Sequence, residues 1–169
     1  MEALNVASYI IDNWSDKFKI TNLKLNKLVY YSQVESLRKY NHPLFDDIIE
    51  AWQYGPVEPV VYHAFSSYGR NCIRKSTGSA ILDETSKNLI DSVMNRLGML
   101  SAFDLVTLSH KPDGAWASVY SPNMDNPITP EAILASNDGL GNNDVVTIDQ
   151  AVQSTIAAMP NALRLLENS

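Results

Sequence analysis

Apolar side chains recur at helical spacing along the first quarter of the chain. From Leu4 to Trp14 they return every three or four residues, which predicts an amphipathic helix. A second helix is predicted from Asn22 to about Tyr40, with Thr21 as its N-cap, and it carries two apolar stripes. A helix that is apolar around so much of its circumference is expected in the middle of a bundle, where neighbours cover several of its sides.

The pattern changes after the second helix. Asn41-His42-Pro43 ends the helix, because proline lacks an amide donor and disfavours helical geometry in the residue before it. Leu44-Phe45 and Ile48 to Trp52 flank Asp46-Asp47, which predicts a short hairpin or a pair of extended segments. Tyr54-Gly55-Pro56-Val57 is predicted to be a turn.

Short helices separated by turns are predicted for the rest of the chain. They are expected at Pro59 to Tyr68, closed by Gly69; from the N-cap Asp83 to Gly98; at Ala102 to Ser109, behind the capping pair Ser101 and Asp104; at Trp116 to Tyr120; and from Thr129 to about Ser136. A glycine- and asparagine-rich loop follows from Asn137 to Asp144. Ile148 to Met159 then predicts a last helix, which Pro160 must kink or break.

Length and composition agree with a single domain. The 169 residues, 45% of them apolar, suffice to bury one sizeable core. We therefore predict a mainly α fold, a single-domain helical bundle with a short β-hairpin near residues 44-52. Residues 1-137 would form the body, and residues 138-169 a loop and a C-terminal helix that closes the same domain.

Charge and cysteine content narrow the partners and the compartment. The net charge of -6 disfavours nucleic acid, since phosphate binding needs clustered Lys and Arg. Only Lys24 to Lys39 would serve a DNA-binding regulator, whose binding would be sensitive to salt. The single cysteine, Cys72, rules out an intramolecular disulfide, and no stretch approaches the roughly 20 apolar residues of a membrane span. We predict a cytoplasmic protein without a nucleic-acid or membrane partner.

Candidate catalytic and metal-binding residues are sparse. His42, His63 and His110 lack the paired spacing of zinc ligands, and no glycine-rich phosphate loop is present. Cys72 beside a histidine would be the minimum for a thiol nucleophile, but its surroundings match no hydrolase signature. We predict no catalytic residues, no metal and no cofactor. A small hydrolase that uses His110 or Cys72 stays open as an alternative, because sequence does not reveal spatial clusters.

One group of candidate contact residues lies on the second helix. Lys24, Lys27 and Tyr31 share a face at three- and four-residue spacing. They are either solvated lysines beside a packed tyrosine or a patch that binds an anionic partner.

A second group surrounds the predicted turn. Gly55-Pro56 forces a chain reversal, and the large amphipathic rings of Trp52 and Tyr54 stand beside it. These rings either pack a hairpin onto a helix or anchor a partner, since aromatic residues dominate protein–protein hot spots.

Three segments of the chain, in order, resemble the Panacea domain, which is also known from SocA-like and phage-associated proteins. They are Lys24 to Gln33; Pro43 to Asp47 with Glu50 to Val57, Pro59 and Tyr62; and Leu105 to His110 followed by Ala115-Trp116. Two departures are Asn26, where a Gln is usual, and Pro112-Asp113-Gly114-Ala115, where a shorter turn is common. The resemblance implies a mainly helical domain, without established catalytic residues, that neutralises very different toxins by direct binding.

On this resemblance we predict an antitoxin whose partner is a cognate toxin protein, in a bacterial or prophage toxin-antitoxin system. The candidate partner-binding residues are Lys24, Lys27, Tyr31, Trp52, Tyr54, Gly55, Pro56 and Trp116. A described variation of the family implies the alternative of a proteolytic adaptor that delivers the toxin to a cellular protease. Ile148 to Ser169 would then be either a docking segment or a last helix of the bundle.

Overall fold

The first two helices have the predicted bounds to within one residue. The computed structural model describes residues 1–78 and 81–139. In it α1 spans Ala3–Trp14 and α2 spans Asn22–Tyr40. The Thr21 side chain caps α2 by accepting a hydrogen bond from a backbone amide of its first turn. Asn41 ends α2 in the left-handed conformation, with φ 52°.

The predicted hairpin is confirmed, but its turn lies further along the chain than expected. Strand β1 spans Ile49–Trp52 and pairs antiparallel with β2, Gly55–Val57, so residues predicted as a turn form the second strand. The chain reverses between the strands, next to Gly55, whose φ of 99° is open to glycine alone at little cost. Strand β3, Pro127–Ile128, pairs with the other edge of β1.

The remaining helices are short and mostly capped as predicted. They are α3 (Pro59–Ala64), a 3₁₀ helix (Ser66–Tyr68), α4 (Glu84–Leu97), α5 (Ala102–Ser109), α6 (Ala115–Val119) and α7 (Pro130–Ala135). The side chains of Asp83, Ser101 and Thr129 all accept capping hydrogen bonds from their helices. The helix predicted through Tyr68 is instead interrupted at Phe65, where φ is -114°.

Helix α2 lies at the centre of the bundle, as its two apolar stripes predict. It packs against α1, α3, α4, α5, α7 and strand β2. Its buried apolar residues Leu28, Val29 and Val34 join the core that the other helices complete. The fold is therefore mainly α with a small three-stranded sheet at one side.

The end of the described body is tied back onto α2. The Tyr30 hydroxyl donates to Asp138 Oδ2 at 2.6 Å, and Arg38 donates to the backbone carbonyls of Ile133, Ser136 and Asp138. The predicted helix from Ile148 to Met159 lies outside the described residues. So does nearly all of the segment 138-169. Within the described ranges, no helix combines the length and apolarity that crossing a membrane requires.

Candidate functional site

Residues from all three Panacea-like segments meet at one buried point, where α2, the hairpin and the end of α5 come together. We call this cluster the junction. Its members are Lys27, Gly55, Pro56, Ser109, His110 and Trp116. The structure thus unites four of the eight predicted contact residues, and it places them in the interior.

Lys27 holds the second strand of the hairpin against α2. Its side chain is fully buried, and Nζ donates to the Pro56 carbonyl at 2.9 Å. Burial takes water away from the ammonium group and lowers the pKa of Lys27 to about 7. Near neutral pH a large share of the Lys27 side chains is therefore uncharged.

Gly55 allows this close approach. A Cβ at this position would lie 2.6 Å from Ser109 Oγ, 2.9 Å from Lys27 Cε and 3.3 Å from His110 Cε1. Both the positive φ and the lack of space therefore require glycine.

His110 and Ser109 direct their polar atoms at backbone carbonyls. His110 Nδ1 lies 2.6 Å from the Val106 carbonyl, which only accepts, so Nδ1 carries the proton. Burial lowers the pKa of His110, and the hydrogen bonds to the Val106 and Gln53 carbonyls oppose part of that shift. Ser109 Oγ also donates to Val106, at 2.8 Å. These groups fix the end of α5, and the arrangement gives no support to the hydrolase alternative.

The other candidates for chemistry lie elsewhere. Cys72 is half-buried in the loop before α4, His42 is exposed after α2, and His63 is on α3. Across residues 1–78 and 81–139, no three His, Cys, Asp or Glu side chains lie close enough together to hold a metal ion.

Aromatic rings lead from the junction to the surface. The Trp116 ring packs on His110 with centroids 3.8 Å apart, and it stacks on Tyr120 at 4.4 Å. Its Nε1 donates to the Trp52 carbonyl at 2.8 Å. Beyond Tyr120 the chain forms a groove of about 350 Å³, which we call the aromatic groove. It is lined by Trp52, Gln53, Tyr120, Pro122, Asn123, Met124 and Asp125.

The outer wall of the aromatic groove is a tight turn. The Met124 amide donates to the Ser121 carbonyl at 3.1 Å, and Asn123 adopts a left-handed φ of 61°. Asn126 then ties the wall down, since its side chain donates to Val119 and its carbonyl accepts from Ala51. The groove is therefore preformed between α6 and the hairpin.

Trp52 is held in place from outside the groove. It is half-buried, its ring meets Tyr62 edge to face with centroids 4.9 Å apart, and its Nε1 donates to Glu50 Oε2 at 2.7 Å. Packing of the hairpin onto α3, one of the two predicted roles of this ring, is thus observed. Trp52 is also one of the residues that line the groove.

The other three candidates lie apart from both features. Lys24 donates to the Gly98 carbonyl at 2.7 Å and is 5% exposed, so the interpretation of both lysines as solvated is wrong. Burial also lowers the pKa of Lys24. Tyr31 is buried edge to face against Tyr30, and Tyr54 is half-buried in the hairpin turn.

Three important residues were not predicted from the sequence. Glu58 is buried and caps α3 by accepting from the Val60 and Val61 amides, which a Glu directly before a helix-opening proline could have indicated. Burial raises the pKa of Glu58. Tyr120 stands four residues after Trp116, a spacing that signals contact on a helix. Asp138 has no local signal, since its contact with Tyr30 spans 108 residues.

The sequence of this mainly helical domain matches a known protein family. Residues 25–117, more than half of the chain, match the family described as antitoxin SocA-like, Panacea domain. The chain belongs to this SocA-like antitoxin family. It is 33% identical over 129 residues to the antitoxin SocA of Caulobacter vibrioides, a match that covers 69% of each chain. No solved structure matches it.

The family match divides the site in two. Every residue of the junction lies within 25–117. The outer wall of the aromatic groove, from Tyr120 to Asp125, lies just beyond that range.

Proposed function

We propose that this chain is an antitoxin that neutralises a cognate toxin protein by direct contact. The observation that carries the proposal is membership of the SocA-like antitoxin family over residues 25–117, together with the named relative. The geometry supports it in a second way. The polar groups of the junction serve the backbone, whereas rings suited to protein contact lie at the surface.

The surface around the hairpin offers apolar area for such a contact. Val60 is 54% exposed and Ile48 is 65% exposed, and Tyr62 joins them beside Trp52. Stable protein complexes bury about 1,200–2,000 Å² in total, more than a groove alone provides. We therefore infer an interface that includes the hairpin, α3 and the aromatic groove.

The test begins with the gene beside the one that encodes this chain. Its product, expressed alone from an inducible promoter, is expected to stop growth, and co-expression of this chain should restore it. The two purified proteins should then elute together in size-exclusion chromatography. A harmless neighbouring product, or a toxic one that this chain neither rescues nor binds, would contradict the proposal.

The same cells distinguish contact from delivery to a protease. Toxin half-life, followed by immunoblot after translation is blocked, should be unchanged or longer in the presence of this chain. A toxin that disappears only when this chain and an active cellular protease are both present would replace the proposal with the adaptor alternative. The segment 148-169 predicted for that role lies outside the described residues.

A further inference from the structure

We propose that the aromatic groove receives an arginine side chain of the bound toxin. This inference rests on the proposed function and adds which surface contacts the toxin and what chemistry that surface recognises.

The rings of the groove suit a planar cation. Trp52 and Tyr120 both line it, and each is held by a neighbour, Trp52 by Tyr62 and Tyr120 by Trp116. Aromatic faces attract cations, and the flat guanidinium group of arginine also stacks on them. Because these rings are already fixed, binding would immobilise little of this chain.

The charges of the groove point the same way. Asp125 contributes an exposed carboxylate, and none of the residues that line the groove is a lysine or an arginine. Glu50, which accepts from Trp52 Nε1, is a further carboxylate beside that ring, although it does not line the groove. The groove therefore presents negative charge and aromatic faces without a cation of its own.

A second pair of aromatic rings, Trp14 and Phe18, is already in contact with lysine side chains of this chain. Trp14 and Phe18 stack with centroids 5.8 Å apart, and Lys17 Nζ lies 4.9 Å from the Trp14 ring and 5.2 Å from the Phe18 ring. Lys24 also lies over Phe18, at 5.7 Å. The Trp14–Phe18 pair is thus already occupied, whereas the groove is available to a cation from a partner.

Position on the chain favours a role in choosing the partner. The carboxylate Asp125 and the exposed Met124 are on the turn beyond residue 117, outside the part that matches the family. Residues on this turn can therefore differ between proteins of the family without a change in the junction, and they can set which toxin this chain binds.

A small-molecule titration tests the groove without any toxin. The probe is N-acetyl-arginine methylamide, and its citrulline counterpart has the same shape without the charge. We expect the arginine probe, at millimolar concentration, to shift the Trp52 indole NMR signal and to shift it less as salt rises. The citrulline probe should leave that signal unmoved.

Two variants assign the effect to the groove. Asp125→Asn should weaken binding of the arginine probe several-fold, and Asp12→Asn, at an exposed acid on α1, should leave it unchanged. Equal shifts with both probes, no shift at Trp52, or equal loss in the two variants would overturn the inference.

The cognate toxin provides the second arm. Asp125→Lys should lower toxin affinity at least tenfold by calorimetry and reduce growth rescue, with Asp12→Lys as the matched control. Both positions are exposed, so both variants should fold. If the wild-type chain does not bind the toxin, the proposed function fails, and the arginine titration still decides the chemistry of the groove.

Two further outcomes count against the groove alone. If the wild-type chain rescues growth and Asp125→Lys binds the toxin as tightly as wild type does, the inference is wrong while the antitoxin function stands. If Asp125→Lys converts a dimer of this chain into a monomer in size-exclusion chromatography, the groove binds a second copy and the inference is also wrong.

Discussion

The junction and the aromatic groove are adjacent, because Trp116 of the junction donates to the carbonyl of Trp52, which lines the groove. They differ in burial and in their place relative to the family match. In the junction Lys27 and Ser109 are fully buried and direct their polar atoms at backbone carbonyls. In the groove Met124 and Asp125 are exposed on a turn. The junction lies within the family match and the outer wall of the groove lies beyond it. The comparison suggests that the first builds the fold and the second provides the contact.

Substitutions in the two regions test this division. Changes in the junction should lower the free energy of unfolding, because each removes a buried hydrogen bond or adds strain. Changes in the groove should leave that free energy nearly unchanged and reduce toxin binding instead.

The largest loss of stability is expected from Gly55→Ala. The new Cβ would collide with Ser109 Oγ at 2.6 Å and Lys27 Cε at 2.9 Å, at a backbone φ of 99°. Overpacking and strain each cost about 1–3 kcal/mol, so we expect a total of about 2–6 kcal/mol. Urea unfolding followed by circular dichroism measures it.

Gly69→Ala is the matched control. Gly69 also has a positive φ, 54°, but a Cβ there would meet nothing within 4 Å. Only the backbone cost remains, and at φ 54° and ψ -114°, a conformation that residues with a Cβ rarely adopt, it is about 1–3 kcal/mol. Equal losses in the two variants would show that the junction is not tightly packed.

The next effect depends on pH and is expected from Lys27→Met. The pKa of Lys27 is about 7 in the fold and has an ordinary value of 10.5. Between these values the unfolded chain holds a proton that the folded chain lacks. The free energy of unfolding of the wild type should therefore rise with pH, by up to about 1.4 kcal/mol per unit. Lys27→Met removes this rise, so the difference between wild type and variant should grow from about pH 7 to about pH 10.

The sign of that difference is informative at both ends. At high pH the variant should be less stable by about 1–3 kcal/mol, because the Pro56 carbonyl loses its donor. Towards neutral pH the loss should shrink and then change sign, because about 1.4 kcal/mol per unit over about three units exceeds it and the wild type then has a buried charge to accommodate. Lys39→Met, exposed at the end of α2, serves as the control and should give a curve parallel to that of wild type. A parallel curve for Lys27→Met would contradict the burial of this ammonium group.

Trp116→Phe should have a smaller effect on both properties. It removes the Nε1 hydrogen bond to the Trp52 carbonyl but keeps a ring between His110 and Tyr120. We expect a loss of about 1–2 kcal/mol in urea unfolding and a toxin affinity several-fold weaker. Trp14→Phe is the control. It removes a similar bond, from Trp14 on α1 to Asp91 on α4 at 2.9 Å, and neither helix lines the groove. If it weakened toxin binding equally, the link between junction and groove would not be specific.

Local signals allowed most of the helices to be predicted. The caps at Thr21, Asp83, Ser101 and Thr129 depend on residues within one turn, so their sequence pattern suffices. The hairpin turn was misplaced because Asp46-Asp47 resembles a turn. In the structure Asp47 instead accepts the Ala3 amide at 2.6 Å, a contact across 44 residues that no local pattern reveals.

The candidate site could be predicted only as a set of residues. Spacing on a helix shows that Lys24 and Lys27 are neighbours, but not that tertiary contacts bury both and pair them with Gly98 and Pro56. Gly55 and Trp116 are part of the Panacea-like motifs. That they meet at one point could not be predicted, because it depends on how α2, α5 and the hairpin pack together. Tyr120 and Asp125 lie beyond those motifs.

The smallest change in stability is expected from Met124→Ser, in the outer wall of the groove. Met124 is 56% exposed and Met99, at the end of α4, is 83% exposed, so serine at either position should alter the free energy of unfolding by no more than about 0.5 kcal/mol. Because only Met124 lines the groove, its substitution should weaken toxin binding several-fold in calorimetry, and Met99→Ser should not. Two exposed methionines thus separate a contact surface from a merely apolar one. If both variants bind the toxin equally well, the toxin contacts another face. If Met124→Ser loses much stability, Met124 contributes to the core and is not only a contact residue.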